Sequence, residues 1–279
     1  MQSFIDKVVV VTGAASGMGR AYALEFGRLG AKLALNDFND EGLQETLALL
    51  KAQGQMSQRM TGQAFDVSDR GAMFAFAQQV QAQFGPAHIV INNAGISGQG
   101  KHVKDMPFED VDRVMRINFN GVLHGTQAFL PQLMSNAEAA LVNVSSTFGL
   151  VGMSGNAEYC ASKFAVRGLT EALMVELADS QVQVHLVHPG GVRTGIADGT
   201  EKGRKFAEKF LKTPPEDVVK AVVAGIRKKQ ARIVFGHQAQ QTWWLSWVVP
   251  LGLRTKLLAR VKRQVMARKK DDAEAPKEP

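Results

Sequence analysis

The chain has 279 residues, 45% of them hydrophobic, enough to bury one sizeable core, so one domain is the starting expectation. Cys160 is the lone cysteine, which excludes an intramolecular disulfide framework and fits a reducing compartment, the cytoplasm being the simplest address. The formal net charge of +7 is local: eight basic residues and no acidic one lie between Arg254 and Lys270, so the excess belongs to the C-terminal segment and does not point to nucleic acid.

The N-terminus mixes acid and base, and residues 8–11 are too short an apolar run for a secretion signal. Residues 7–11 are a β-branched strand, followed by Thr12-Gly13-Ala14-Ala15-Ser16-Gly17-Met18-Gly19 and an apolar helical pattern through Leu29. Residues 32–35 predict a second strand and 41–52 a second helix, with Leu43, Leu47 and Leu50 on one face. A strand at 57–65, a helix at 69–84 and a strand at 88–91 come next, the last running into Asn92-Asn93-Ala94-Gly95. One long helix is expected over 109–134, then a strand at 140–144, a helix over 157–179 and strands at 183–187 and 233–235. This alternation predicts an α/β fold, a doubly wound parallel sheet of about seven strands with ligands at the carboxyl ends.

Residues 195–213 break the rhythm and read as a lid, with Ile196, Phe206 and Phe210 as its apolar contacts; with the loop at 96–106 it would shape specificity. The catalytic domain is expected to span 1–239, followed by an apolar and basic extension at 240–270 and a disordered tail at 271–279.

Gly13, Gly17 and Gly19, between a strand and a helix, let helix N–H groups, among them those near Ser16 and Met18, approach a pyrophosphate. Three glycines at a turn also occur for purely structural reasons. Asp37 strengthens the ligand reading, because a carboxylate ending the second strand can accept from ribose hydroxyls and repels a 2′-phosphate. No Lys or Arg precedes Gly17 in the loop or immediately follows Asp37, so the expected cofactor is NAD rather than NADP. The competing role for Asp37 is a turn or cap before the helix that Asn39 starts. Asp66 and Val67, ending the third strand, are placed to meet the adenine.

Four motifs in order, Thr12-Gly13-xxx-Gly17-x-Gly19, Asn92-Asn93-Ala94-Gly95, Ser146 with Tyr159-Cys160-Ala161-Ser162-Lys163, and Pro189-Gly190-xx-Arg193-Thr194, make the sequence resemble the short-chain dehydrogenase/reductase family over residues 4–236. The resemblance implies a single-domain Rossmann fold with a C-terminal helical extension. It also implies hydride transfer between a nicotinamide cofactor and an alcohol/ketone pair, with Asn118, Ser146, Tyr159 and Lys163 as the catalytic residues. Gly13, Ser16, Gly17, Met18, Gly19, Asp37, Asp66, Val67, Asn93, Ala94, Gly95, Pro189, Gly190, Val192 and Thr194 would hold the cofactor together with Tyr159 and Lys163. Tyr159 would be the acid/base, Ser146 would hydrogen-bond the substrate oxygen, with Ser145 its rival, and Asn118 would hold a water linking the lysine to solvent. Lys163 would hold the nicotinamide ribose and Thr194 the carboxamide.

The residues themselves support part of this. Tyr159 and Lys163, four apart on a helix, share a face, so an ammonium beside the phenol is expected to lower its pKa. No metal is expected, since the six histidines form no metal-binding spacing; His188, at a strand end, reads as a hydrogen-bonded structural residue. The alternative class is a non-catalytic dinucleotide-binding or membrane-surface protein on the same fold.

The extension holds all three tryptophans, in Trp243-Trp244-Leu245-Ser246-Trp247, and the eleven-residue run 243–253 is too short to cross a bilayer. Leu257, Leu258, Val261 and Val265 are expected on one helical face with bases on the other. Two readings stand: peripheral membrane contact through 240–270, or cover for the pocket or a subunit contact. Either suits a hydrophobic substrate, and the family resemblance implies a homodimer or homotetramer.

Overall fold

The computed structural model describes residues 1–197 and 201–260. It holds β1 (Val8–Thr12), α1 (Gly17–Arg28), β2 (Lys32–Asp37), α2 (Asp40–Ala52), β3 (Met60–Ala64), α3 (Arg70–Phe84) and β4 (Ile89–Asn92). Then come α4 (Phe108–Met115), α5 (Gly121–Met134), β5 (Ala139–Val144), α6 (Ala157–Glu176) and β6 (Val182–Pro189). α7 (Glu201–Phe210), α8 (Pro215–Arg227), β7 (Arg232–Phe235) and α9 (Ala239–Val248) complete it, with residues 251–260 helical beyond. The strands form one parallel sheet in the order β3-β2-β1-β4-β5-β6-β7, the doubly wound Rossmann arrangement expected.

β1 shows why its β-branched run is uninterrupted. Val9 and Val11 enter a core formed with α1, α2 and α8, whereas Val8 and Val10 enter the opposite core, formed with α3, α5 and α6. A strand covered on both faces has no polar side to alternate with. The strand order reverses between β1 and β4, which places a crevice at their carboxyl ends.

Several boundaries differ from the sequence expectation. The long helix over 109–134 is interrupted by a π-helical stretch, Arg116–Asn120, between α4 and α5. The strand expected over 57–65 starts at Met60, because Ser57–Arg59 form a 3₁₀ turn. α8 was not anticipated, and the expected lid contains a helix of its own, α7. The base of that excursion is a backbone stem: Lys212 and Thr213 donate to the Gly191 carbonyl at 3.0 and 2.9 Å, and Arg193 donates to Thr213 O at 2.8 Å.

In the extension, Leu257 is exposed while Arg254 folds back to donate to Ser246 O at 2.8 Å, so the separation into apolar and basic faces is incomplete. Val261, Val265 and the tail at 271–279 lie outside the described residues. Among the described residues no helix is long and apolar enough to cross a membrane.

Candidate active site

Thr12, the last residue of β1, fastens the glycine loop to the end of β4. Its Oγ1 accepts from the amides of Asn93 (3.0 Å) and Ala94 (3.1 Å), and Asn93 Nδ2 donates back to Thr12 O at 2.9 Å. The loop glycines have packing reasons. Gly13 (φ +71°) lies so close to Ala94 that a Cβ would stand 2.9 Å from its Cα, and a Cβ on Gly19 would collide with the Gly13 carbonyl. At Gly17 a Cβ would meet Thr194 Cγ2 at 2.9 Å, so Thr194 closes over the loop.

These reasons leave the anion-binding capacity intact. Ser16, the N-cap of α1, makes no side-chain capping bond, and the first turn, with Met18, holds no acid. The leading N–H groups of α1 therefore fit an anion such as a pyrophosphate.

Asp37 sits beside this cradle, accepting from Ala15 N (2.8 Å) through Oδ2 and from Asn39 N (2.9 Å) through Oδ1. It does form the turn, but Asn39 caps α2, and each carboxylate oxygen keeps a further lone pair for a hydroxyl. Asp66 accepts from Ser68 N at 2.9 Å and pairs with Arg116 at 3.1 Å, while buried Val67 packs on Gly121 at the start of α5.

The two serines after β5 separate cleanly. Ser145 is buried and spends its hydroxyl on Lys163 O at 2.8 Å. Ser146 is half-buried, takes a bond from Phe148 N at 3.1 Å and lies close enough to the Tyr159 phenol to lower its pKa, so it is the serine that meets the tyrosine. Lys163 is buried beneath, 5.8 Å from the Tyr159 ring centre, and donates to Val144 O at 3.0 Å. A Cβ on Gly95 would stand 3.3 Å from Lys163 Nζ and 3.1 Å from Asn118 Oδ1. Gly95 thus brings the β4 loop against both residues, and Lys163 connects them to Tyr159, whose ring centre lies 5.8 Å from its Nζ.

Asn118 lies in the π-helical stretch and is fully buried. Its amide is committed to Ile96, accepting from N at 2.8 Å and donating to O at 3.0 Å, and to Ser162 Oγ at 3.0 Å. A water at Asn118 would therefore have the remaining Oδ1 lone pair or the main chain to bind.

The expected lowering of the Tyr159 pKa by Lys163 does not appear. Burial pushes the phenol up to about 12, opposed by the nearby Ser146 hydroxyl, and burial pulls the Lys163 ammonium down to about 8. Burial favours the neutral form of each group and is the largest influence on both.

His188 is buried with Nδ1 2.8 Å from Ser146 O, and burial lowers it to about 4, so the ring is neutral with its proton on Nδ1. It holds the Ser146 backbone, the structural role expected. Pro189 ends β6, Gly190 packs on the His237 carbonyl, and Val192 is buried and bridges to Thr213.

Sequence reasoning gave no site role to Thr12, Ser162 or Glu158. Ser162 Oγ donates to Tyr159 O at 2.8 Å and accepts from Asn118 Nδ2 at 3.0 Å, and the second bond joins the π-helical stretch to α6. Buried Glu158 accepts from Gln99 N at 3.0 Å, tying down the loop that follows Gly95.

The sequence model described as short chain dehydrogenase matches residues 7–205. The oxidoreductase SadH of Mycobacterium tuberculosis is 43% identical over 252 residues, covering 86% of this chain and 90% of that protein. Human epidermal retinol dehydrogenase 2 is 36% identical over 248 residues, 88% of this chain and 79% of that protein. Among solved structures, a short chain dehydrogenase/reductase from Burkholderia phymatum in complex with NAD superposes with a TM-score of 0.78 at 32% identity, covering 84% and 90% of the two chains. With the motif residues gathered at the strand ends as described, the chain belongs to the short-chain dehydrogenase/reductase family of oxidoreductases.

Proposed function

We propose that this protein interconverts a hydrophobic alcohol and its ketone with NAD as cofactor and Tyr159 as the acid/base. The observation that carries the reading is Tyr159 beside Ser146 at the end of β5, with buried Lys163 5.8 Å from the ring centre and held there by Val144 O. NAD is favoured over NADP by the Asp37 carboxylate beside the α1 N-terminus, where it repels a 2′-phosphate. Arg20, whose guanidinium reaches the Ala15 carbonyl of the same loop, is taken up by Glu45 at 2.7 Å. The Burkholderia relative, titled as an NAD complex, agrees with this choice.

A bound dinucleotide would supply the hydride acceptor, its pyrophosphate on the Gly13–Gly19 cradle and its nicotinamide ribose within reach of Tyr159 and Lys163. Ser146 holds the substrate oxygen. Tyr159 takes the hydroxyl proton in oxidation and returns it in reduction. A phenol near 12 is a poor base at neutral pH, so the reaction needs positive charge beside Tyr159, and Lys163 is the protein's own source. With its pKa brought to about 8, Lys163 also exchanges protons readily near neutrality. The exposed Phe108, Phe164 and Val175 on α4 and α6 are the surface we assign to a homodimer or homotetramer, and the single buried Cys160 fits a cytoplasmic address.

The test exploits the two tyrosines of the chain, Tyr22 and Tyr159. Reduced-nicotinamide absorbance is followed with NAD⁺ or NADP⁺ against a panel of hydrophobic alcohols. Tyr22→Phe, which removes a buried hydroxyl without a described partner, is expected to keep full turnover. Tyr159→Phe is expected to lose roughly 10² to 10⁴ in kcat. Equal turnover by the two variants would remove Tyr159 from the chemistry.

A further inference from the structure

Outside the site, one surface has no role in the chemistry above. On α9, Trp244, Trp247 and Val248 lie 59%, 62% and 66% exposed at helical spacing, and Leu251, Leu253 and Leu257 continue the apolar surface over residues 251–260. Lys256 and Arg260 are exposed among them, and the sequence has no acidic residue between Asp217 and Asp271. Arg232 lies over the Trp247 ring at 5.7 Å, and the Arg254 bond to Ser246 O ties α9 to the helical stretch after it.

We propose that this face docks on an anionic lipid bilayer, with the tryptophans at headgroup depth and the basic side chains against lipid phosphates and carboxylates. Three observations favour lipid over other occupants. The patch pairs exposed aromatic and aliphatic side chains with cations, which matches a surface that is apolar inside and anionic outside. Its apolar stretch is too short to span, so it lies on the surface. A second copy is a poor occupant, because a two-fold contact sets the same patch against itself, cations facing cations, and Glu171, the acid that reaches it through Arg232, is already paired with Arg167 and Arg232.

The position of the patch gives the docking a purpose, and this part rests on the hydrophobic-substrate reading above. α9 packs on β7 and on the Thr147–Gly149 turn next to Ser146, and Phe148 of that turn meets the Tyr159 ring edge-on at 6.1 Å. A face seated on lipid therefore borders the substrate end of the site, and a substrate dissolved in the bilayer has a short, dry approach to Tyr159.

All three tryptophans lie in α9, so fluorescence of the full chain reports on this patch alone. The protein is mixed with vesicles of phosphatidylcholine or of phosphatidylcholine with about 30 mol% phosphatidylserine, and both fluorescence and co-sedimentation are read. A blue shift and pelleting with the anionic vesicles are expected. Partitioning should fall on the order of tenfold in Trp244→Ala/Trp247→Ala and by at least as much in Lys256→Glu/Arg260→Glu, both checked for folding by NAD binding and thermal melting. No shift and no pelleting of wild type overturns the proposal. Pelleting of both variants equal to wild type also overturns it, since the apolar face is then not the contact. Loss of a concentration-dependent oligomer in the tryptophan variant, with vesicle binding absent, assigns the face to a second copy instead. Tyr159→Phe should bind vesicles like wild type, so a failed catalytic assay and a failed docking assay remain distinct results.

Discussion

Lys163 carries a charge that the fold disfavours. Burial holds its ammonium at about 8 against an ordinary 10.5, so below about pH 8 the folded state bears the full desolvation cost. Between about 8 and 10.5 the unfolded chain binds the extra proton, and stability from this group rises with pH. Lys163→Met removes the cost but also leaves Val144 O without its donor. The expected net effect at pH 7 is an apo Tm higher by roughly 2 to 5 °C with turnover lost, whereas a lower Tm would show that the Val144 bond outweighs the burial. Asp37→Asn keeps an acceptor for Ala15 N and drops the charge, so the preference for NAD over NADP in kcat/KM should narrow by about tenfold. An unchanged ratio would place the discrimination elsewhere. Tyr159, Lys163 and Ser146 were legible because short spacings and strand ends announce them. Thr12, Glu158 and Ser162 were not, because their partners Ala94, Gln99 and Asn118 lie 82, 59 and 44 positions away.

At the scale of elements, the glycine loop is fixed from both sides, by Thr12 beneath and Thr194 above. Gly19→Ala drives a methyl into the Gly13 carbonyl, and the loop must open to accept it. Weaker NAD binding and a loss of roughly 1 to 3 kcal/mol in stability are expected, read by dinucleotide titration and thermal melting. A variant that binds and melts like wild type would show that the loop relaxes freely. The sheet was legible because strands buried on both faces are written as unbroken apolar runs, as in β1 and β4. The π-helical break before α5 was not, since a one-residue change in hydrogen bonding leaves the apolar pattern nearly intact. α8 was missed for a different reason. Val219, Val222 and Val223 are poor helix formers by propensity, yet they bury one face of the helix in the core shared with α1 and α2, and packing overrides the propensity.

The whole molecule should be acid-sensitive before its carboxylates titrate. His88, His185 and His188 all have their pKa lowered, chiefly by burial, His188 to about 4. A base with a lowered folded pKa takes up its proton first in the unfolded chain, so stability falls as pH drops from about 6.5 toward 4. Tm should decline across that window, and His188→Gln, which keeps a donor for Ser146 O, should flatten the decline. A slope unchanged in the variant would assign the sensitivity to other groups. At this same scale, the stem of Gly191, Arg193, Lys212 and Thr213 closes the excursion carrying α7 by main-chain bonds. The sheet is therefore insulated from whatever sequence the excursion holds, since its ends are already joined and added length costs only a logarithmic closure term. On the proposed function the segment is expected to act as an exchangeable cassette: grafting it from a relative should change which molecule is accepted while leaving the sheet's folding untouched.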